Sequence, residues 1–223
     1  FNAYGHAAVR NDVDLWLHMG DYIYEYGRGG YDAGSALAQK IFPASECLPL
    51  ADYRMRYASY RLDSQLQALH AHAPMIPSAD DHESANDAWE GGAENHQPDE
   101  GQWANRKAAA LQAWYEWLPV SETPWGAYRI GDLATYYRTD TRSLARSRPH
   151  DLGTILRGKD HAKALAAFRD GAWQDPASTM LGSTQERWLL REMAANTASW
   201  NLLGVGTNMG SAMMPEDAMN WLS

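Results

Sequence analysis

The 223-residue chain has a single cysteine, Cys47, so no disulfide can form within it and the redox compartment stays open. Cys47 lies in Phe42-Pro-Ala-Ser-Glu-Cys-Leu-Pro with no His nearby, which predicts a half-buried structural thiol rather than a nucleophile. No apolar run approaches the length of a membrane span. There are no repeats, linkers or low-complexity tracts, so one domain over 1–223 is expected. Positive charge is short: 19 Lys and Arg face 28 Asp and Glu, a formal net charge of −9. That argues against nucleic acid, whose binding rests on neutralising phosphates with Lys and Arg. A phosphate-bearing substrate would need local positive charge, which metal ions supply.

What the chain does have is crowded acid. Ala79-Asp80-Asp81-His82-Glu83-Ser84-Ala85-Asn86-Asp87 holds four carboxylates, one imidazole and one carboxamide. The run before it, Ala73-Pro-Met-Ile-Pro, reads as a short buried strand. Carboxylates crowded at a strand end repel one another unless a cation sits between them. A second cluster has the same form: an apolar strand, Val13 to Met19, ends in Gly20-Asp21, with Tyr24 three residues on. Two such strand ends predict one shared site at the carboxyl edge of a sheet. Asp21 and Asp81 should approach each other there, with His82 beside them.

The remaining pattern places the site in an α/β layered domain. Helices are expected near the start (2–10), over 51–72, over Trp103 to Trp117 and over His161 to Asp170. Another runs from a Ser183-Thr-Gln-Glu186 capping box to Asn196, and 215–222 is helix-like. In 51–72, Tyr53, Tyr57 and Tyr60 form a stripe continued by Leu62, Leu66 and Leu69, and Arg54, Arg56 and Arg61 read as a solvated face. One or two strands are expected over 128–138 and an apolar strand from Trp200, with loops at 27–49 and 143–160. Trp103, Trp114 and Trp117 sit at core spacing.

Asp21 could bridge two metals that clamp a phosphate, with His82 hydrogen-bonding the leaving oxygen or the phosphate. On the residues alone Tyr24 reads as a packing aromatic beside Tyr22 and Tyr26. If the segment is extended, those three rings share one side. His18, His70 and His72 read as structural.

These blocks resemble the PhoD-like (alkaline phosphatase D) family of calcineurin-like metallophosphoesterases. The resemblance is carried by Leu17-His-Met-Gly-Asp-Tyr-Ile-Tyr-Glu-Tyr-Gly, Tyr53-Arg-Met-Arg-Tyr-Ala-Ser-Tyr-Arg and Asp80-Asp-His-Glu-Ser-Ala-Asn-Asp. It is carried too by Gly92-Ala-Glu-Asn-His, Arg106-Lys-Ala-Ala, Glu116-Trp-Leu-Pro-Val and Leu181-Gly-Ser-Thr-Gln-Glu. The resemblance implies a sandwich of two β-sheets flanked by helices. It implies hydrolysis of phosphate mono- and diesters by metal-activated water, with Fe3+ and Ca2+ as cofactors and other divalent metals as alternatives. It makes Asp21, Tyr24 and Asp81 metal ligands and His82 the catalytic histidine. Asp80, Asn86 and Arg142 take supporting roles toward the ligands or the substrate. It implies export, periplasmic or secreted.

Two departures bear on that reading. Ala79 stands where the family usually carries Trp. The family's blocks with a metal-binding Cys and with further Asp and His ligands would fall outside 1–223, so the chain is expected to be the middle of a longer enzyme, incomplete at both ends. The competing expectations are a catalytically incomplete or non-catalytic domain that binds metal or ligand through the same carboxylates, and an aromatic-rich glycan-binding module.

Overall fold

The structure, a computed structural model, describes residues 2–30, 40–155 and 160–209. The expected helix at 215–222 lies outside them. Helix α1 (Asn2–Ala8) leads into strand β1 (Trp16–His18). Strand β2 (Met75–Pro77) pairs with β1 in parallel, Trp16 opposite Met75 and His18 opposite Pro77. A parallel pair needs a crossover, here supplied by the helical stretch between the strands. Its consequence is that both strands end at the same edge, where Gly20-Asp21 and Asp80-Asp81 leave the sheet.

The crossover is two helices, α2 (Leu50–Tyr60) and α3 (Ser64–His72), not the single helix expected over 51–72. The break has a local cause. Asp63 is extended, and its side chain accepts from the backbone N–H groups of Gln65 and Leu66, capping α3. Leu62 therefore leaves the apolar stripe and is 75% exposed, while Leu66 and Leu69 are buried.

Helix α4 (Trp103–Trp117) lies on α2, and its Ala110 and Ala113 allow close approach. Between these helices and the first sheet, Tyr22, Ile23, Tyr53, Tyr57, Leu66, Met75 and Trp114 form the main apolar cluster. Cys47 belongs to it and is fully buried rather than half-buried, and burial pushes its thiol up to about 12. Arg56 is also fully buried, which overturns its reading as part of a solvated face. Its guanidinium donates to the carbonyls of Tyr24, Tyr26, Phe42, Pro43 and Ser45, so five loop acceptors satisfy it. Arg54 does face outward, against Glu116 of α4.

The second sheet begins with a hairpin of β3 (Gly126–Ile130) and β4 (Ala134–Arg138). After α5 (Leu152–Ile155), α6 (His161–Asp170) and α7 (Gly182–Ala195), strand β5 (Trp200–Gly204) pairs parallel to β4. The apolar side chains of β5 are exposed, Trp200 by 63%. No capping box opens α7: Ser183 is already inside the helix, and the N–H of Gly182 goes to Thr179 Oγ1. The reciprocal box occurs instead at Gln97 and Glu100. Tyr136 of β4 hydrogen-bonds Ser78 just past β2, at 2.7 Å, and ties the second sheet to the first. The result is mixed α/β, two small sheets with helices against them, as expected. Among the described residues no helix is long and apolar enough to cross a membrane.

Candidate metal centre

The site is built where β1 and β2 end. Gly20 has φ 110° and Asp21 φ 57°, two successive left-handed residues that turn the chain sharply after β1. A non-glycine residue there costs about 1 kcal/mol or more, and Asp is among the few that tolerate it. Gly20 also lacks a Cβ for a contact reason: an added one would collide with the Cβ and backbone nitrogen of Asp80. From the loop after β5, Gly206 approaches the Asp80 carboxyl in the same way, at 2.6 Å from an ideal Cβ to Oδ1. Asp80 is thus held between two positions that admit no side chain.

Asp21, Asp81 and His82 each offer a ligand atom, and these atoms lie within 4.8 Å of one another. The expected approach of Asp21 to Asp81, with His82 beside them, is what the backbone produces. Asp21 Oδ2 accepts from the Tyr24 hydroxyl at 3.1 Å, while Asp21 Oδ1 is buried with no hydrogen-bond partner. An orphaned, buried carboxylate oxygen beside a second carboxylate and an imidazole fits a metal ion, because such groups otherwise lose their hydration uncompensated. Oxygen and imidazole donors suit hard to borderline cations.

The tyrosines divide differently from an extended alternation. Residues 22–26 are not a strand. Tyr24 and Tyr26 both lie against the His82 ring, with centroids 4.3 and 5.5 Å away. Tyr22 turns into the apolar cluster, stacks on Tyr57 and hydrogen-bonds His70. Tyr24 is therefore both a packing aromatic and a neighbour of the carboxylates. His18 bonds Tyr4, and His70 packs on Trp16, so both stay in the aromatic cluster.

Arg142, in the loop after β4, is the positive counterpart. Its Nε donates to Asp80 Oδ1 at 2.6 Å and Nη2 to Oδ2 at 3.3 Å. The same guanidinium lies 3.6 Å from Asp81 and 3.5 Å from Asp87. Asp140 shapes this loop by accepting from the N–H groups of Arg142, Ser143 and Leu144. Burial pushes Asp80 up, whereas at Asp81 burial is outweighed by Arg142 and the Asp87 amide, so Asp81 is the more acidic of the pair. Burial lowers His82, but its hydrogen bond to Glu25 and the charges of Glu25, Asp81 and Asp21 outweigh it and lift the imidazole to about 8.

Two residues that matter here, Glu25 and Glu83, were not singled out by sequence reasoning. Glu25 is fully buried, lies 2.7 Å from His82 Nδ1, and accepts from the Asn86 amide at 2.7 Å and from Asn95 Nδ2 at 2.9 Å. Glu83 accepts from the N–H groups of Tyr22 and Asp80, both at 2.6 Å, and so ties the two strand-end loops together. Burial pushes its carboxyl up to about 8. For Glu25 the available signal was a carboxylate embedded in an aromatic run, Tyr22-Ile-Tyr-Glu-Tyr, where losing its hydration is costly. Asn86 donates to Glu25 and, by its side chain, to Glu94. Ala79 packs on the apolar cluster. Beyond Asp87, whose N–H donates to Asp81, a cavity of about 490 Å³ is lined by Asp87, Trp89, Glu94, His96, Arg148 and His150.

Comparison with known proteins follows the same outline. The sequence model of the PhoD-like phosphatase family matches residues 1–221. Alkaline phosphatase D of Bacillus subtilis (strain 168) is 33% identical over 216 residues, a match covering 91% of this chain and 34% of that protein. The solved structure of PhoD superposes with a TM-score of 0.71 at 31% identity, covering 90% of this chain and 37% of that one. The chain spans about a third of the length of these relatives.

Proposed function

This chain belongs to the PhoD-like phosphatase family, and on that premise we propose that it hydrolyses phosphate esters at the Asp21–Asp81–His82 centre, as a single domain over 1–223. The observation that carries the reading is the convergence of the Asp21 and Asp81 carboxylates and the His82 imidazole within 4.8 Å, beside the unpartnered oxygen of Asp21. Asp21, Asp81 and Tyr24 would hold the metal, with Fe3+ and Ca2+ as the proposed ions. The Tyr24 phenol lies within hydrogen-bond distance of Asp21 and, as phenolate, is the donor that favours the trivalent ion. When bound, the metal supplies positive charge to the phosphoryl oxygens and makes a water molecule acidic enough to attack phosphorus.

The chain's own residues do the rest. His82 reaches the leaving oxygen through Nε2 and donates a proton to it. Arg142 offsets the charge of Asp80 and Asp81 and holds the second strand-end loop in place. Asp80 acts on Arg142, and Asn86 on Glu25, rather than on the ester. A phosphate ester is the partner proposed, in a periplasmic or secreted setting. The net charge of −9 speaks against nucleic acid.

The test is turnover of a chromogenic phosphate ester by the full-length protein, chelated and then resupplied with iron and calcium. Turnover that vanishes with chelator and returns with metal is expected. Metal uptake without turnover would put a non-catalytic metal-binding domain in its place.

A further inference from the structure

We propose that Glu25 is a positioning residue that fixes His82 in its Nδ1–H form and thereby leaves Nε2 as the nitrogen presented to the reacting phosphoryl group. The inference rests on the reading of the Asp21–Asp81–His82 centre given above. Both Oε1 contacts of Glu25 are N–H donors, so its carboxyl serves as an acceptor and the 2.7 Å contact between Oε2 and His82 Nδ1 places the proton on Nδ1. Free imidazole favours the opposite form, with the proton on Nε2. Glu25 cannot turn away, because its other oxygen is held by the Asn86 amide and by Asn95 Nδ2. The imidazole is equally constrained, since the rings of Tyr24 and Tyr26 lie against it. Nε2 is on the far side of the ring from Glu25.

The arrangement gives the proton one place to move. As the P–O bond to the leaving group breaks, the alkoxide oxygen takes the proton from Nε2–H of the imidazolium. His82 is left neutral with Nδ1–H still donating to Glu25, so charge and atoms balance and the ring does not rotate. A purely structural role is a poor account of Glu25. Burying a carboxylate is costly, and an apolar side chain of similar size would stabilise this interior as well or better. Carboxylates that orient a histidine in this way fix its tautomer and its direction.

The tautomer can be read directly. The metal-free chain, labelled with 15N-histidine, is examined by long-range 1H–15N spectra in alkaline buffer where imidazoles are neutral. The His82 signals are identified among the eight histidines by their loss in His82→Gln. The wild-type chain should show a protonated Nδ1 and an unprotonated Nε2. Glu25→Gln should move the population at least tenfold toward Nε2–H, and Glu25→Asp should restore part of the wild-type pattern. A wild-type His82 protonated on Nε2 overturns the proposal without recourse to any variant, and so does a folded Glu25→Gln with an unchanged tautomer. Neither metal nor ester is present, so a chain that hydrolyses nothing still decides the matter.

Discussion

Between Tyr22 and Glu25 the chain passes from one kind of interior into another. Tyr22 and Ile23 pack with Tyr53, Tyr57, Leu66 and Trp114, where apolar surface leaves water. That removal is worth roughly 25 cal/mol per Å². Asp21 and Glu25, on either side, face Asp81, His82, Asn86 and Asn95. There each buried polar atom costs free energy until a partner offsets it. The first interior holds the fold; the second is tolerated by it. Stability and chemistry are therefore separable within five residues, and single substitutions should pull them apart.

The sharpest separation is expected at Asp21→Asn. Asn accepts the left-handed backbone that Asp21 adopts, so the turn should survive. Burial disfavours the Asp21 charge, so removing it should leave the melting temperature of the metal-free chain unchanged or raised. Ester turnover should fall by on the order of a thousandfold as metal is lost. Calorimetry and initial rates on the same preparation check both halves. A joint fall in stability and rate would mean the two interiors are not distinct.

Tyr57→Ala is the converse. The ring stacks on Tyr22 and Trp117, and its loss should cost about 3–5 kcal/mol in urea unfolding. Its hydroxyl is buried without a hydrogen-bond partner, so Tyr57→Phe should cost nothing. If Tyr57→Phe is as damaging as Tyr57→Ala, the cluster depends on polarity after all.

His18 sits on the boundary, in β1 but packed among rings. Burial lowers it from an ordinary 6.5 to about 4. The unfolded chain then binds the proton first, so stability is complete above pH 6.5 and is lost as pH falls toward 4. The loss is on the order of 3 kcal/mol. The difference in unfolding free energy between wild type and His18→Gln, followed across that window, should show this slope. A flat difference would remove His18 from the account.

Tyr24→Phe should have the smallest effect on folding, about 1 kcal/mol for one hydrogen bond to Asp21. Its spectroscopic effect should be large. Iron-loaded wild type should carry a visible charge-transfer band that Tyr24→Phe abolishes and that Tyr22→Phe and Tyr26→Phe retain. A band that survives in Tyr24→Phe points to a site of carboxylates and imidazole alone.

The sequence carried the strand ends well, because Gly20-Asp21 and Asp80-Asp81 are local signals that follow short apolar runs. Parallel pairing of β1 with β2 then brings Asp21, Asp81 and His82 together without further information. What could not be read was polar burial. Arg56 looked solvated because nothing in a helix pattern marks five loop carbonyls converging on it. Glu25 was hidden because its partners are scattered over His82, Asn86 and Asn95. The break at Asp63 went unread because the stripe of Leu62, Leu66 and Leu69 keeps helical spacing across it. The capping box at Ser183 is a reminder that such a motif needs the backbone to begin its helix two residues later than it does.

Asp80 touches Gly20 from the end of β1 and Gly206 from beyond β5, so its seat exists only when segments near the two ends of the described chain have both arrived. Contacts of such wide sequence separation form late and slowly. The α2–α4 packing can collapse early, with the acidic loop still open. A nascent chain would then leave Asp80 without its Gly206 wall until β5 had been made and docked. The closing of that seat around Asp80 should consequently serve as a clock for the final step of folding.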